Sequence, residues 1–180
     1  MDTLSEEYKK YQKLVEGKNI NPQTLLATDY LNHFNEIHML IGMIADMPEC
    51  LEDILEWEAL SYQDHFKYSV FQDKDLAIEA YDHSPERYKK PFEDCVAEMD
   101  ELLLSTIKNV EEAIKTEDKD YIAFILDGYT PSMERLIEQC SHIINSTETT
   151  APQDNIDDFF DADSGPSDTN DQSAIDDLFD

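Results

Sequence analysis

Glycine is scarce in this chain, with 4 in 180 residues, and bases are few, at 13 lysines and arginines against 42 acids. The shortage of glycine, with no clean alternation of β-branched and polar residues, argues against sheets and for helices. The shortage of bases gives a formal net charge of -29. Such a chain repels phosphate backbones and anionic bilayers, so nucleic acid and membrane surfaces are poor partners. No apolar run is long enough to span a bilayer. The opening residues, MDTLSEEYKK, are acidic and polar rather than signal-like, so a cytoplasmic location is expected. Cys50, Cys95 and Cys140 are far apart and odd in number. They make neither a disulfide framework nor a zinc motif and read as reduced core residues.

What is present divides the chain in two. From Ser146 to Asp180 there are 11 acids and no lysine or arginine, which leaves -18 on residues 1–145. The stretches STETTAPQD and ADSGPSDTNDQ hold no large apolar residue. They cannot offset the entropy of ordering, so residues 146–180 are expected to be a disordered acidic tail. Residues 1–145 are expected to be an all-α bundle.

The helices are marked by spacings of three and four. Leu4, Tyr8, Tyr11 and Val15 outline the first, closed by Gly17. Asn21-Pro22 reads as a cap and first helical position of a helix running to Ala45, with Leu26, Tyr30, Phe34, Ile37, Ile41 and Ile44 inward. Gly42 within it reads as a close-packing position. Leu51, Ile54, Leu55 and Trp57 mark a shorter helix after Pro48. Residues 60–72 show no period, and Tyr62, Phe66, Tyr68 and Phe71 are expected to pack that connection onto the bundle. Asp73 reads as the cap of a helix through Leu76, Ala80 and Tyr81. Ser84-Pro85 opens a long helix with Tyr88, Phe92, Val96, Met99, Leu103, Ile107, Val110 and Ile114 inward. After the polar link TEDKD, Ile122, Ile125, Tyr129, Met133, Leu136, Cys140 and Ile143 repeat the pattern. Two such helices pack as a long antiparallel hairpin, with kinks expected at Pro91 and Pro131. Heptads this long also suit homodimerisation.

The tail carries a repeat. Asn155–Asp163 reads NIDDFFDAD and Ser173–Asp180 reads SAIDDLFD. Ile156, Phe159 and Phe160, and again Ile175, Leu178 and Phe179, fall at i, i+3 and i+4, with Asp157, Asp158, Asp176 and Asp177 between them. That pattern suits a short helix folding into an apolar groove with a basic rim. Chance recurrence in an Asp-rich tail is the weaker explanation, because the apolar residues return in register.

Both segments resemble the acidic Ile/Val-Asp-Asp/Ala-Leu-Leu/Phe peptides by which CheZ-type chemotaxis phosphatases and flagellar switch proteins bind the response regulator CheY. The resemblance implies a CheY-like partner, with any magnesium held by that partner and no cofactor of this chain's own.

A second resemblance lies in ATDYLNHFNEIHML, Ala27–Leu40. CheZ-type phosphatases carry an aspartate-aromatic pair, then an acid, then a glutamine four residues on. Asp29-Tyr30 matches the pair, while Asn32 and Glu36 occupy the later positions with acid and amide exchanged. Asp29-x-x-Asn32 also has the acid-x-x-Asn spacing of another group of CheY phosphatases. The resemblance implies Asp29, Asn32 and Glu36 as catalytic candidates, an amide orienting water in line with an aspartyl phosphate and an acid engaging the regulator's lysine. The plain alternative is a solvated helix face.

His38-x-Leu40-x-Gly42 resembles the phosphotransfer motif of histidine phosphotransfer bundles, but Ile41 stands where a lysine belongs, so a half-buried structural His38 is the better reading. Asp29, His33 and Glu36, joined by Asp64, His65, Glu79 and His83, are the residues a metal-binding bundle would draw on, yet no Glu-x-x-His motif is present. A scaffold whose tail docks an unrelated protein is the remaining alternative.

Overall fold

The computed structural model describes residues 5–147, and the two tail peptides lie outside them. Among the described residues there are seven α-helices and no strand: α1 Glu6–Leu14, α2 Asn32–Met43, α3 Leu51–Glu56, α4 Tyr62–Tyr68, α5 Lys74–Tyr81, α6 Glu86–Lys115 and α7 Lys119–Ile144. Short 3₁₀ turns, Thr28–Leu31 and Pro48–Cys50, lead into α2 and α3.

The hairpin of α6 and α7 is the frame. Phe92, Met99, Leu103 and Val110 of α6 and Ile122, Tyr129, Met133 and Cys140 of α7 are buried in one core, and Tyr88 is buried apart from it. Asp118 starts α7 by accepting from the Tyr121 amide at 2.9 Å, and Glu117 turns the corner at φ +53°. Both helices run unbroken through Pro91 and Pro131. In α6 the buried stripe takes in Cys95, Thr106 and Ala113, while Val96 and Ile114 are only half-buried.

Several expectations are corrected. The helix read from Pro22 begins ten residues later. Asn21 does act as a cap, its Oδ1 accepting from the Gln23 and Thr24 amides at 2.8 and 3.1 Å. However, Leu25 sits at φ +58°, a left-handed conformation that no α-helix continues through, so the cap closes a turn instead. Secondly, residues 60–72 contain α4, started by Ser61, whose Oγ accepts from the Asp64 amide at 3.1 Å. Tyr62 and Phe66 are buried as expected, but Tyr68 is exposed, as is Leu55 of α3. Thirdly, Gly42 is exposed and an added Cβ would meet nothing, so it is not a close-packing position. Asp73 does precede α5, but its side chain pairs with Lys18 at 3.5 Å instead of capping.

The non-helical stretch before α2 is pinned at several points. Thr24 Oγ1 donates to the Ile144 carbonyl at 2.7 Å, and Ser84 Oγ to the Thr24 carbonyl at 2.6 Å. The Ala27 amide donates to Tyr62 Oη at 2.9 Å, and Tyr30 Oη to the Leu60 carbonyl at 2.7 Å. These bonds satisfy the Thr24, Leu60 and Ile144 carbonyls and the Ala27 amide, backbone groups outside α2. They also hold the Thr28–Leu31 turn against α4. The body closes at Ser146, which is buried and donates to the His142 carbonyl at 3.1 Å.

Candidate functional site

The three candidate side chains sit at the start of α2. Tyr30, Phe34 and Ile37 point into the core and are buried, which turns Asn32 and Glu36 outward, both exposed and one helical turn apart. Asp29 is half-buried in the 3₁₀ turn below them, not on the helix itself.

Asp29 is held on both sides. Its Oδ1 accepts from Asn32 Nδ2 at 3.1 Å, and its Oδ2 lies 3.2 Å from His65 Nε2 on α4. A carboxylate can only accept, so it fixes the amide with its nitrogen inward and leaves Asn32 Oδ1 as the free, accepting end. No hydrogen bond joins Glu36 to either residue. The structure thus joins Asp29 to Asn32 and sets Glu36 beside them on the surface.

His65 was grouped in the sequence with a possible metal set, and its tie to Asp29 spans 36 positions. His33 lies beside His65 with ring centres 6.0 Å apart, while two other members of that set gather elsewhere. Glu79 accepts from Tyr11 Oη at 3.3 Å and His83 stacks on Tyr11 with ring centres 4.5 Å apart. Among the described residues no three His, Cys, Asp or Glu side chains are close enough together to hold a metal.

The floor beneath Asp29 is aromatic. Tyr30 packs on Phe34, Tyr62, His65 and Phe92 with ring centres 5.4–5.7 Å apart. His33 lies flat on Trp57 at 4.9 Å. Burial, with His65 nearby, pushes its imidazole down to about 4, so it is neutral near pH 7, and its Nε2 is buried without a hydrogen-bond partner. His38 is half-buried, its Nδ1 3.2 Å from Tyr129 Oη and its Nε2 3.9 Å from a Glu134 carboxylate oxygen.

A groove of about 800 Å³ runs between α2 and the C-terminal half of α7. Asn32, Asn35 and His38 form one wall, and Glu134, Glu138 and Asn145 the other. Asn32 therefore faces both the groove and Asp29, while Glu36 stands outside the groove. The lining has no lysine or arginine, so the groove suits cationic groups better than a free anion.

Three further side chains on the hairpin are buried or half-buried. The Cys95 thiol donates to the Leu136 carbonyl at 3.3 Å, and a hydrogen bond with Cys95, together with burial, pushes the Cys140 thiol well up. Asp100 of α6 is half-buried with its Oδ1 unpartnered, and burial raises its carboxyl to about 6. The folded protein thus holds this proton at pH values where the unfolded chain has lost it. Asp100 costs nothing below about pH 4, and its penalty grows as pH rises towards 6 and is complete above it. Discounted for partial exposure, the penalty is on the order of 1–2 kcal/mol. Asp100→Asn is expected to raise the denaturation midpoint at pH 7 and to leave it unchanged near pH 4. Equal effects at both pH values would contradict this assignment.

No family model, curated protein or solved structure matches the chain.

Proposed function

We propose that this chain binds a CheY-like response regulator in the cytoplasm and promotes loss of its aspartyl phosphate. The observation that carries the reading is the in-register repeat in the tail, Ile156-Asp157-Asp158-Phe159-Phe160 and Ile175-Asp176-Asp177-Leu178-Phe179. Two tethered copies raise the local concentration of a captured regulator beside the bundle. At the bundle, Asn32 offers an amide to orient water and Glu36 an exposed carboxylate for the regulator's lysine. These are the two groups that an in-line hydrolysis needs from a helper protein. The net charge of -18 on residues 1–145 attracts a basic surface and falls in effect as salt screens it.

The peptides test the binding half. Ile175, Leu178 and Phe179 supply the apolar anchors, and burying one such anchor is worth on the order of 2 kcal/mol. Phe179→Ala in a 173–180 peptide is therefore expected to weaken binding to the receiver at least about tenfold. Asp176→Asn and Asp177→Asn are expected to act mainly on the association rate and its salt dependence. Equal affinities for the unmodified and Phe179→Ala peptides would remove the anchor assignment.

A second reading, sequestration without catalysis, draws on Asp29, whose carboxylate is already engaged by Asn32 and His65. Single-turnover decay of the phosphorylated receiver separates the two. Sequestration leaves the rate at its spontaneous value, while catalysis raises it.

A further inference from the structure

We propose that His65 is a positioning residue for the Asn32 amide, acting through Asp29; the proposal rests on the phosphatase reading above. The chain of contacts is short: His65 Nε2 to Asp29 Oδ2 at 3.2 Å, then Asp29 Oδ1 to Asn32 Nδ2 at 3.1 Å. It starts at a side chain only 12% exposed and ends at an exposed one. A water that attacks an aspartyl phosphate must present a lone pair in line while a proton is held by an acceptor. Asn32 can supply that acceptor only with Oδ1 outward, which is the orientation Asp29 enforces by taking Nδ2.

An exposed asparagine is ordinarily free to rotate and flip. Here Asp29 selects one face, and His65 keeps Asp29 from turning into solvent. His65 is itself immobilised. Its ring meets Tyr30 edge-on at 5.4 Å and Phe66 edge-on at 5.0 Å, with His33 at 6.0 Å. The histidine thus brings the rigidity of the aromatic floor to a surface amide, the kind of supporting contact that sets a reacting group to within a fraction of an ångström.

The fold does not depend on this link. The Ala27–Tyr62 and Tyr30–Leu60 hydrogen bonds already fasten the Thr28–Leu31 turn to α4 and the residue before Ser61. Phenylalanine at 65 keeps the ring contacts and removes the hydrogen bond. Glutamine at 65 loses the ring but keeps an amide donor for Asp29.

The test uses the full chain with His65→Phe, His65→Gln and Asp29→Asn. The probe is a CheY-like receiver phosphorylated with acetyl phosphate. His65→Phe is expected to lower kcat on the order of tenfold with KM held within about twofold, as loss of a transition-state contact requires. His65→Gln is expected to restore most of the rate. Separately, the Asn32 side-chain amide resonances are followed by NMR without any receiver. They are expected to move, and their hydrogen exchange to quicken, in His65→Phe and Asp29→Asn but not in His65→Gln. If the unmodified chain does not accelerate phosphate loss, the phosphatase reading fails. If the Asn32 amide signals are unmoved in His65→Phe, the positioning role fails whatever the wild-type rate; if the unmodified chain is active and His65→Phe keeps its kcat, the role fails too.

Discussion

Asn32→Ala is expected, on the phosphatase function proposed above, to lower the rate of phosphate loss from a bound receiver by on the order of a hundredfold, with receiver affinity unchanged within about twofold. The size follows from what the amide supplies. Orienting one water in line, with a proton already accepted, replaces an encounter from bulk solvent by a held geometry, and a misplacement of about 1 Å costs on the order of a hundredfold. The affinity is expected to hold because the proposal places the binding energy in the tail anchors, over a hundred positions away in sequence. Glu36→Gln is expected to act in the same direction, since it removes a charge offered to the regulator's lysine. Single-turnover decay curves with saturating protein give the rate, and titration gives the affinity. A rate loss fully recovered by raising protein concentration would place Asn32 in binding and not in chemistry.

The second large effect is on stability. Phe34→Ala is expected to cost about 3–5 kcal/mol and to lower the melting temperature by on the order of 10 °C. Phe34 is fully buried, edge-on to Tyr30 at 5.5 Å and against His33 and Trp57 at 5.3 and 6.4 Å. Aromatic neighbours from the 3₁₀ turn, α2 and the end of α3 cannot collapse inward together, so most of the ring's volume remains as a cavity. Asn32 lies two residues away on the opposite, exposed face, so Asn32→Ala is expected to leave the melting temperature nearly unchanged. Thermal unfolding of both variants checks the contrast. A Phe34→Ala loss below about 1 kcal/mol would mean that the aromatic floor is not packed as described.

Much of this fold was legible because burial follows side-chain spacing. Leu26, Tyr30, Phe34, Ile37, Ile41 and Ile44 were read as one inward stripe, and all six are buried. The backbone that carries the first two was not legible. A leucine in the left-handed region is disfavoured locally, and Leu25 is held there by bonds from Asn21 to Leu26 and from Leu25 to Asn21, at 2.9 and 2.7 Å. No spacing rule reports such a turn. The seven-residue α4 was hidden for another reason: two turns are too few to establish a period, and its start depends on one hydroxyl, Ser61. In the hairpin the stripe was read nearly in full, but Cys95 and Ala113 replaced Val96 and Ile114 at the buried positions. Small residues fit where two helices approach closely, and hydropathy alone favours the larger neighbour.

The candidate site was legible residue by residue and not as an arrangement. Spacing put Asn32 and Glu36 on one outward face, where they are found. It could not show that Asp29 lies in a turn below them, nor that His65 reaches it from another helix. That link depends on how α4 folds back over the Thr28–Leu31 turn, which is tertiary information.

The central claim is that this chain recognises a CheY-like receiver. It is tested most directly by calorimetric titration of the full chain against CheY-like receivers, phosphorylated and unphosphorylated, at low and at physiological salt. Binding that weakens as salt rises, and that falls at least about tenfold when Phe160 and Phe179 are both replaced by alanine, is the predicted result. No heat of binding to any receiver at low salt would contradict the claim.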